Sequence, residues 1–309
     1  MDAMPPFESR AGDAGRLVGR GLLPRVRFHL VLLLLAFALV LSVVVAAGAS
    51  AAVVSSGGLK YVTKSFSLVP GKPRTHEAPC PKRNHVLGGG HYNSGGFGEA
   101  IGLHSYPYDG DDRNKQPDDG WAAMQRAFGE AQPAQVYAIC ARVTPDYAKK
   151  TETVPPDAAE DRVLVKCPLN TLDVTSGGSR GPASVRGLSG LFLGVNQWQQ
   201  GVANHGTTAR EVTVFAICST LDVDAGQAQV VAEDGKQTFA QAQCPAEAPH
   251  VVGGALSTNY TGTIMGNTAV AATLPHQFTT AFDGWRVWLD NYNAIDMNLH
   301  VAAICVPPR

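Results

Sequence analysis

The sequence predicts an all-β protein made of three disulfide-closed antiparallel β repeats that follow an N-terminal apolar helix. Three observations carry that prediction. A Cys-Pro dipeptide recurs at Cys80-Pro81, Cys167-Pro168 and Cys244-Pro245. An apolar run ending in Cys recurs at Val136-Tyr137-Ala138-Ile139-Cys140, Val214-Phe215-Ala216-Ile217-Cys218 and Val301-Ala302-Ala303-Ile304-Cys305. No stretch beyond residue 55 sustains a helical period of apolar residues. Trp121, Trp198 and Trp285 precede their closing Cys by 19, 20 and 20 positions, so the three units share a common plan. Each unit is too long for a solenoid turn and suits a small β module.

Residues 1–27 are polar and carry Arg10, Arg16, Arg20, Arg25 and Arg27 against Asp2, Glu8 and Asp13. Residues 30–47 form an 18-residue apolar run broken only by Ser42. That length lies between a long signal core and a short membrane span. Ala49-Ser50-Ala51 fits a small-x-small cleavage site with the cut before Ala52. A cleaved secretory signal is the favoured expectation, and a single-span membrane anchor with its Arg-rich end inside is the alternative. Both place the rest of the chain outside the cytoplasm, extracellular or on the cell surface. Membrane contact is then confined to residues 28–51. The expected divisions are 1–55 for the signal or anchor, then repeats over 56–146, 147–225 and 226–309.

In the first repeat, Phe66 and Leu68 alternate with Ser65 and Ser67 in an edge-type strand. Further strands are expected around residues 85–87, 100–106, 121–128 and 135–143. The second repeat is expected to place strands over 162–167, 191–195 and 211–218. The third places them over 229–232, 238–242, 268–273, 285–289 and 298–305. Both alternating sets of each closing run are apolar, so these strands are covered on both faces. The Gly clusters Gly88-Gly89-Gly90 and Gly253-Gly254, with a degraded form at Ser176-Gly177-Gly178, mark bulges or close backbone approaches. A Trp at one place in every repeat is a core anchor. Trp288 has no counterpart and is the candidate surface contact.

Six Cys in an exported chain imply disulfides. The repeat selects Cys80–Cys140, Cys167–Cys218 and Cys244–Cys305. No Cys-x-x-Cys is present, so a thiolate metal site is not expected. Without residues 1–51 the chain has 20 basic and 23 acidic side chains and no basic patch, which disfavours nucleic acid as a partner.

Candidate chemistry is sparse. Gly177-Gly178-Ser179-Arg180-Gly181 matches the nucleophile pattern Gly-x-Ser-x-Gly in letters, but that motif needs a strand-to-helix turn in an α/β sheet. Asp109, Asp111 and Asp112 lie close together on an acidic loop. They are candidate ligand contacts, although Arg113 stands where a calcium loop would place its third oxygen. Paired carboxylates for glycoside hydrolysis would need a set separation that spacing alone does not supply. His85, His91 and His104 flank the first Gly cluster, where a bulge breaks the parity that a three-His site would need. No catalytic residue, metal or cofactor is expected.

The repeat resembles that of secreted actinobacterial proteins reading Cys-Pro, Gly-Gly-Gly, Ser-Tyr-Pro, Gly-Trp and Val-Tyr-Ala-x-Cys. The residues that carry the likeness are Cys80-Pro81, Gly88-Gly89-Gly90, Ser105-Tyr106-Pro107, Gly120-Trp121 and residues 136–140. It covers about residues 60–309 and implies no particular activity. More faintly the chain is similar to the vitelline membrane outer layer family, without the Asp-Asp-Thr-Ala-Leu-Asn signature of that family. That likeness implies one pseudo-threefold β-prism as the alternative to three small sandwiches. The function expected is a non-enzymatic binding or structural role at the envelope, with an envelope glycan or another exported protein as partner. An enzyme acting on envelope polysaccharide is the alternative, and it would need one asymmetric cleft with carboxyl groups of perturbed pKa.

Overall fold

The computed structural model describes residues 51–110, 114–170, 172–192, 196–258, 267–277 and 282–308. The expected apolar helix and cleavage-site residues before Ala51 lie outside them, as do Asp111 and Asp112. The described chain is all-β. Strand β1 (Ala51–Ser56) precedes the repeats. The first repeat supplies β2 (Leu59–Leu68), β3 (Arg74–Pro79), β4 (His85–Asn93), β5 (Ala100–Tyr108), β6 (Gly120–Ala127) and β7 (Gln132–Ala141). The second supplies β8 (Asp146–Val154), β9 (Asp161–Lys166), β10 (Asp173–Arg180), β11 (Val185–Phe192), β12 (Gln197–Asn204) and β13 (Arg210–Ser219). The third supplies β14 (Asp224–Ala232), β15 (Gln237–Gln243), β16 (His250–Thr258), β17 (Thr268–His276), β18 (Gly284–Asn291) and β19 (Met297–Val306).

No repeat closes on itself. The first sheet runs β1-β2-β7-β4-β17-β18-β15, the second β3-β6-β5-β10-β13-β8, and the third β14-β19-β16-β11-β12-β9. Each repeat therefore gives its first, sixth and third strands to one sheet and its fourth, fifth and second to another. This is the pseudo-threefold, three-sheet arrangement rather than three small sandwiches. The physical reason is coverage: the closing strands are apolar on both faces, and sheets shared between repeats bury the inner face around one axis. Within each sheet the two half-sheets meet at a single paired position: Thr273 with His91, Ser179 with Ser105, and Gly190 with Leu256.

The glycine clusters make that convergence sterically feasible. The ladders of β4, β10 and β16 each slip once, between Val86 and Gly88, Val174 and Ser176, and Val251 and Gly253. The extra residues Leu87, Thr175 and Val252 are fully buried. A Cβ on Gly88 would lie 2.1 Å from the Val252 carbonyl oxygen, and one on Gly253 would lie 2.1 Å from that of Thr175. The departure in the second repeat has its own function. Thr175 Oγ1 donates to the Leu87 carbonyl oxygen at 2.8 Å and ties two repeats together.

Each repeat's Trp lies on a glycine of its own cluster. Trp121 covers Gly89, Trp198 covers Gly177 and Trp285 covers Gly254. All three indoles are buried. Trp121 Nε1 donates to Ser105 Oγ at 2.7 Å and Trp285 Nε1 to Thr273 Oγ1 at 2.8 Å, so the polar atom of each ring is satisfied inside the core. Trp198 instead donates to Gln200 Oε1 at 3.3 Å.

The three disulfides are Cys80–Cys140, Cys167–Cys218 and Cys244–Cys305, each with a Cα–Cα distance of 5.8 Å. Each lies within one repeat, and each spans two sheets. Cys80 follows β3 of the second sheet and Cys140 lies in β7 of the first. The other two join the third sheet to the second and the first to the third in the same way.

Candidate functional site

Pseudo-threefold symmetry provides an internal control: side chains the fold requires recur, and side chains with another role do not. On the outer face of the first sheet, Trp288 of β18 sits opposite Phe239 of β15. The Trp288 ring packs edge-on against Tyr92 of β4 with centroids 5.7 Å apart, and lies 6.3 Å from the Phe239 ring. Alternation along β18 sends Trp285, Val287 and Leu289 inward and Arg286 and Trp288 outward. Phe239 is 57% exposed. Beyond the end of β18, Tyr292 packs on Phe97 at 4.8 Å, and both rings are about two-fifths exposed.

The cluster of Trp288, Phe239 and Tyr92 does not recur, although Phe128 stands at the place of Tyr292 on the second sheet. By strand register, the positions equivalent to Trp288 are Met124 and Gly201, those equivalent to Phe239 are Thr75 and Arg162, and those equivalent to Tyr92 are Arg180 and Ser257. The other two sheets keep the same architecture with no aromatic ring at any of these places.

The polar groups beside the rings are held in place. The Arg286 guanidinium lies 5.2 Å from the Trp288 ring centroid, a cation–π contact. It donates to Gln241 Oε1 from Nε at 3.2 Å and from Nη2 at 2.9 Å, and Nη2 also donates to His276 Nε2 at 2.6 Å. Burial, then the adjacent Arg286 charge, lower the His276 pKa, which suits a neutral imidazole acting as acceptor. Asp290 is fully buried and its pKa is raised by desolvation. Its carboxylate accepts from the Gly98 amide at 3.1 Å, Gln237 Nε2 at 2.9 Å and Tyr292 Oη at 3.1 Å, which pins the loop carrying Phe97.

The other sequence candidates do not join this cluster. Asp109 is exposed beyond the end of β5 and borders a groove on the second sheet. Among the described residues, no group of three or more His, Cys, Asp or Glu side chains could hold a metal ion. His85 pairs with Asp118 at 2.6 Å, whereas His91 and His104 are buried. Ser179 Oγ lies 3.2 Å from His104 Nδ1. His104 Nε2 lies 3.3 Å from the Pro182 carbonyl oxygen, which can only accept, so Nε2 carries the proton and Ser179 donates to Nδ1. Both residues are about 2% exposed and β10 is a strand, so the pair is a buried strut rather than a nucleophile elbow.

Trp288 was visible in the sequence as an unmatched Trp. Phe239, Tyr92 and Arg286 were missed. For Phe239 a signal existed, because Ala240 and Ala242 alternate inward and leave an aromatic ring on the outward face. No protein-family model matches the chain, and no curated protein is detectably similar to it.

Proposed function

We propose that the chain is an exported, non-enzymatic binding protein of the cell envelope or extracellular space, and that the outer face of its first sheet holds an envelope glycan. The observation that carries this reading is the confinement of Tyr92, Trp288 and Phe239 to one of three equivalent sheets. The architecture repeats without them, so packing alone does not account for their presence. Aromatic rings take the C–H faces of sugar rings, and the fixed guanidinium and amide groups of Arg286 and Gln241 offer hydrogen bonds to hydroxyls. Three disulfides are compatible with life outside the cytoplasm. A cleaved secretory signal is the favoured route, and a cut before Ala52 would leave residues 52–56 paired in β1.

The test is co-sedimentation of the oxidised protein with purified cell-wall polysaccharide, with the supernatant assayed for released sugar. Retention without release, lost in Trp288→Ala, is the expected result. Release of sugar would establish an enzyme instead. Absence of retention would turn the search toward another exported protein as partner.

A further inference from the structure

A second groove lies on the outer face of the second sheet, with a volume of about 710 Å³. That size falls within the range of small-ligand clefts. Its floor is the stacked pair Tyr106 and Phe215, with ring centroids 6.2 Å apart. The floor is low because Ala122 sits opposite Tyr106 and Gly178 opposite Phe215 in the ladders. Arg180 projects from the central strand β10 with its guanidinium 5.9 Å from the Tyr106 centroid. Lys149 lies opposite Phe215 on the edge strand β8. Glu77 and Glu211 stand at the rims, on β3 and β13. None of the ion pairs among the described residues involves Arg180, Lys149, Glu77 or Glu211, although all four are exposed; Lys115 and Asp109 complete the charged lining, which holds three cations and three carboxylates. Arg180 does not recur, and of the two floor positions that of Phe215 keeps an aromatic ring only on the first sheet. Arg180 is replaced by Tyr92 and Ser257 at the equivalent places, and Phe215 by Tyr137 and Ala302.

We infer that this groove is a separate binding site for an anionic saccharide of one or two rings. Arg180, Lys149, Glu77 and Glu211 then each have a chemical counterpart. The Arg180 fork and the Lys149 ammonium take the carboxylate or phosphate of the sugar, since charge-assisted bonds from cations to oxyanions are the strong ones. The carboxylates of Glu77 and Glu211 accept from ring hydroxyls and disfavour a ligand that is anionic along its whole length. Tyr106 and Phe215 are 8% and 6% exposed, so the floor offers the ring a narrow apolar strip. The inference is independent of the reading of the first sheet, which carries none of these residues.

Calorimetric titration of the oxidised, full protein tests it with three probes: a glucuronate-containing disaccharide, its neutral glucose counterpart and glucose 6-phosphate. At least one anionic sugar should bind and the neutral one should not, and which anion binds identifies the source of the charge. Affinity should fall as salt is added. Arg180→Ala should weaken binding about tenfold or more, and Arg180→Lys should fall between, because a point charge lacks the fork. Lys149→Ala supplies a second variant should Arg180→Ala melt early. Equal binding of the neutral sugar, no binding of either anion at millimolar concentration, or wild-type affinity in both the Arg180 and Lys149 variants would overturn the inference.

Discussion

Cys80 and Cys140 belong to one repeat but fasten two different sheets, the second and the first, across a Cα–Cα distance of 5.8 Å. With its two equivalents, the bridge closes one of three sheet-to-sheet junctions. Loss of a bridge should therefore be felt by the whole prism. For a sequence separation of 60, the chain-entropy model gives about 4 kcal/mol. The double variant Cys80→Ser, Cys140→Ser should unfold in one cooperative denaturant transition at a lower midpoint. Two transitions, with two repeats keeping wild-type stability, would contradict the shared sheets.

Gly89 lies under Trp121, and a Cβ there would fall 2.3 Å from the indole and 2.3 Å from the Tyr137 carbonyl oxygen. Neither can yield without moving β7 or the core. Gly89→Ala should destabilise by more than ~2 kcal/mol. Gly71 has a positive φ of 89° but nothing within 4 Å of its Cβ position. Gly71→Ala should cost only about 1–2 kcal/mol, from backbone strain alone. Chemical denaturation of both variants measures the contrast.

Burial lowers the pKa of both His91 and His104 to about 4. Their unfolded values lie near 6.5, so between these limits the unfolded chain binds more protons than the folded one. Stability should be greatest above pH 6.5 and fall as pH drops toward 4. The slope should approach about 1.4 kcal/mol per pH unit for each histidine. Denaturation midpoints across pH 4–7 test this, and His91→Leu should flatten the dependence by removing one titrating group.

Trp288 and Phe239 lie on the outer face of the sheet, away from the inward-facing Trp285. Trp288→Ala and Phe239→Ala should each weaken glycan retention by about fivefold or more, while thermal midpoints stay close to wild type. Met124→Ala, at the equivalent place on the second sheet, should leave retention unchanged.

Much of the fold was legible because its landmarks are chemically singular. Six Cys, three Trp and the Gly clusters have few alternative uses, and their spacing carried the disulfide pairing and the bulges. Strand partnership was less accessible. A strand such as β4 shows the same alternation whether its neighbour comes from its own repeat or from β17, so the exchange between repeats leaves no local trace. Strand β8 escaped notice because Lys149, Lys150 and Glu152 give it the charge of a loop, as befits an edge strand. Thr175 and Ser176 read as a worn glycine cluster, although the Thr175 hydroxyl is a tie between repeats. Of the aromatic face, Trp288 stood out for want of a counterpart. Tyr92 belongs to another repeat, and only the pairing of half-sheets brings it alongside.

The exchange of strands also sets an order of events. Because both partners of each bridge lie in one repeat, each Cys pair can oxidise as soon as its own repeat has been made, N-terminus first. The first sheet, however, cannot be completed until β17, β18 and β15 of the last repeat arrive beside β4. During that interval an unpaired β4 edge faces solvent, the condition under which long-range β topologies aggregate. The early bridges would keep each completed segment compact through that wait, acting as provisional clasps before they serve as permanent ones.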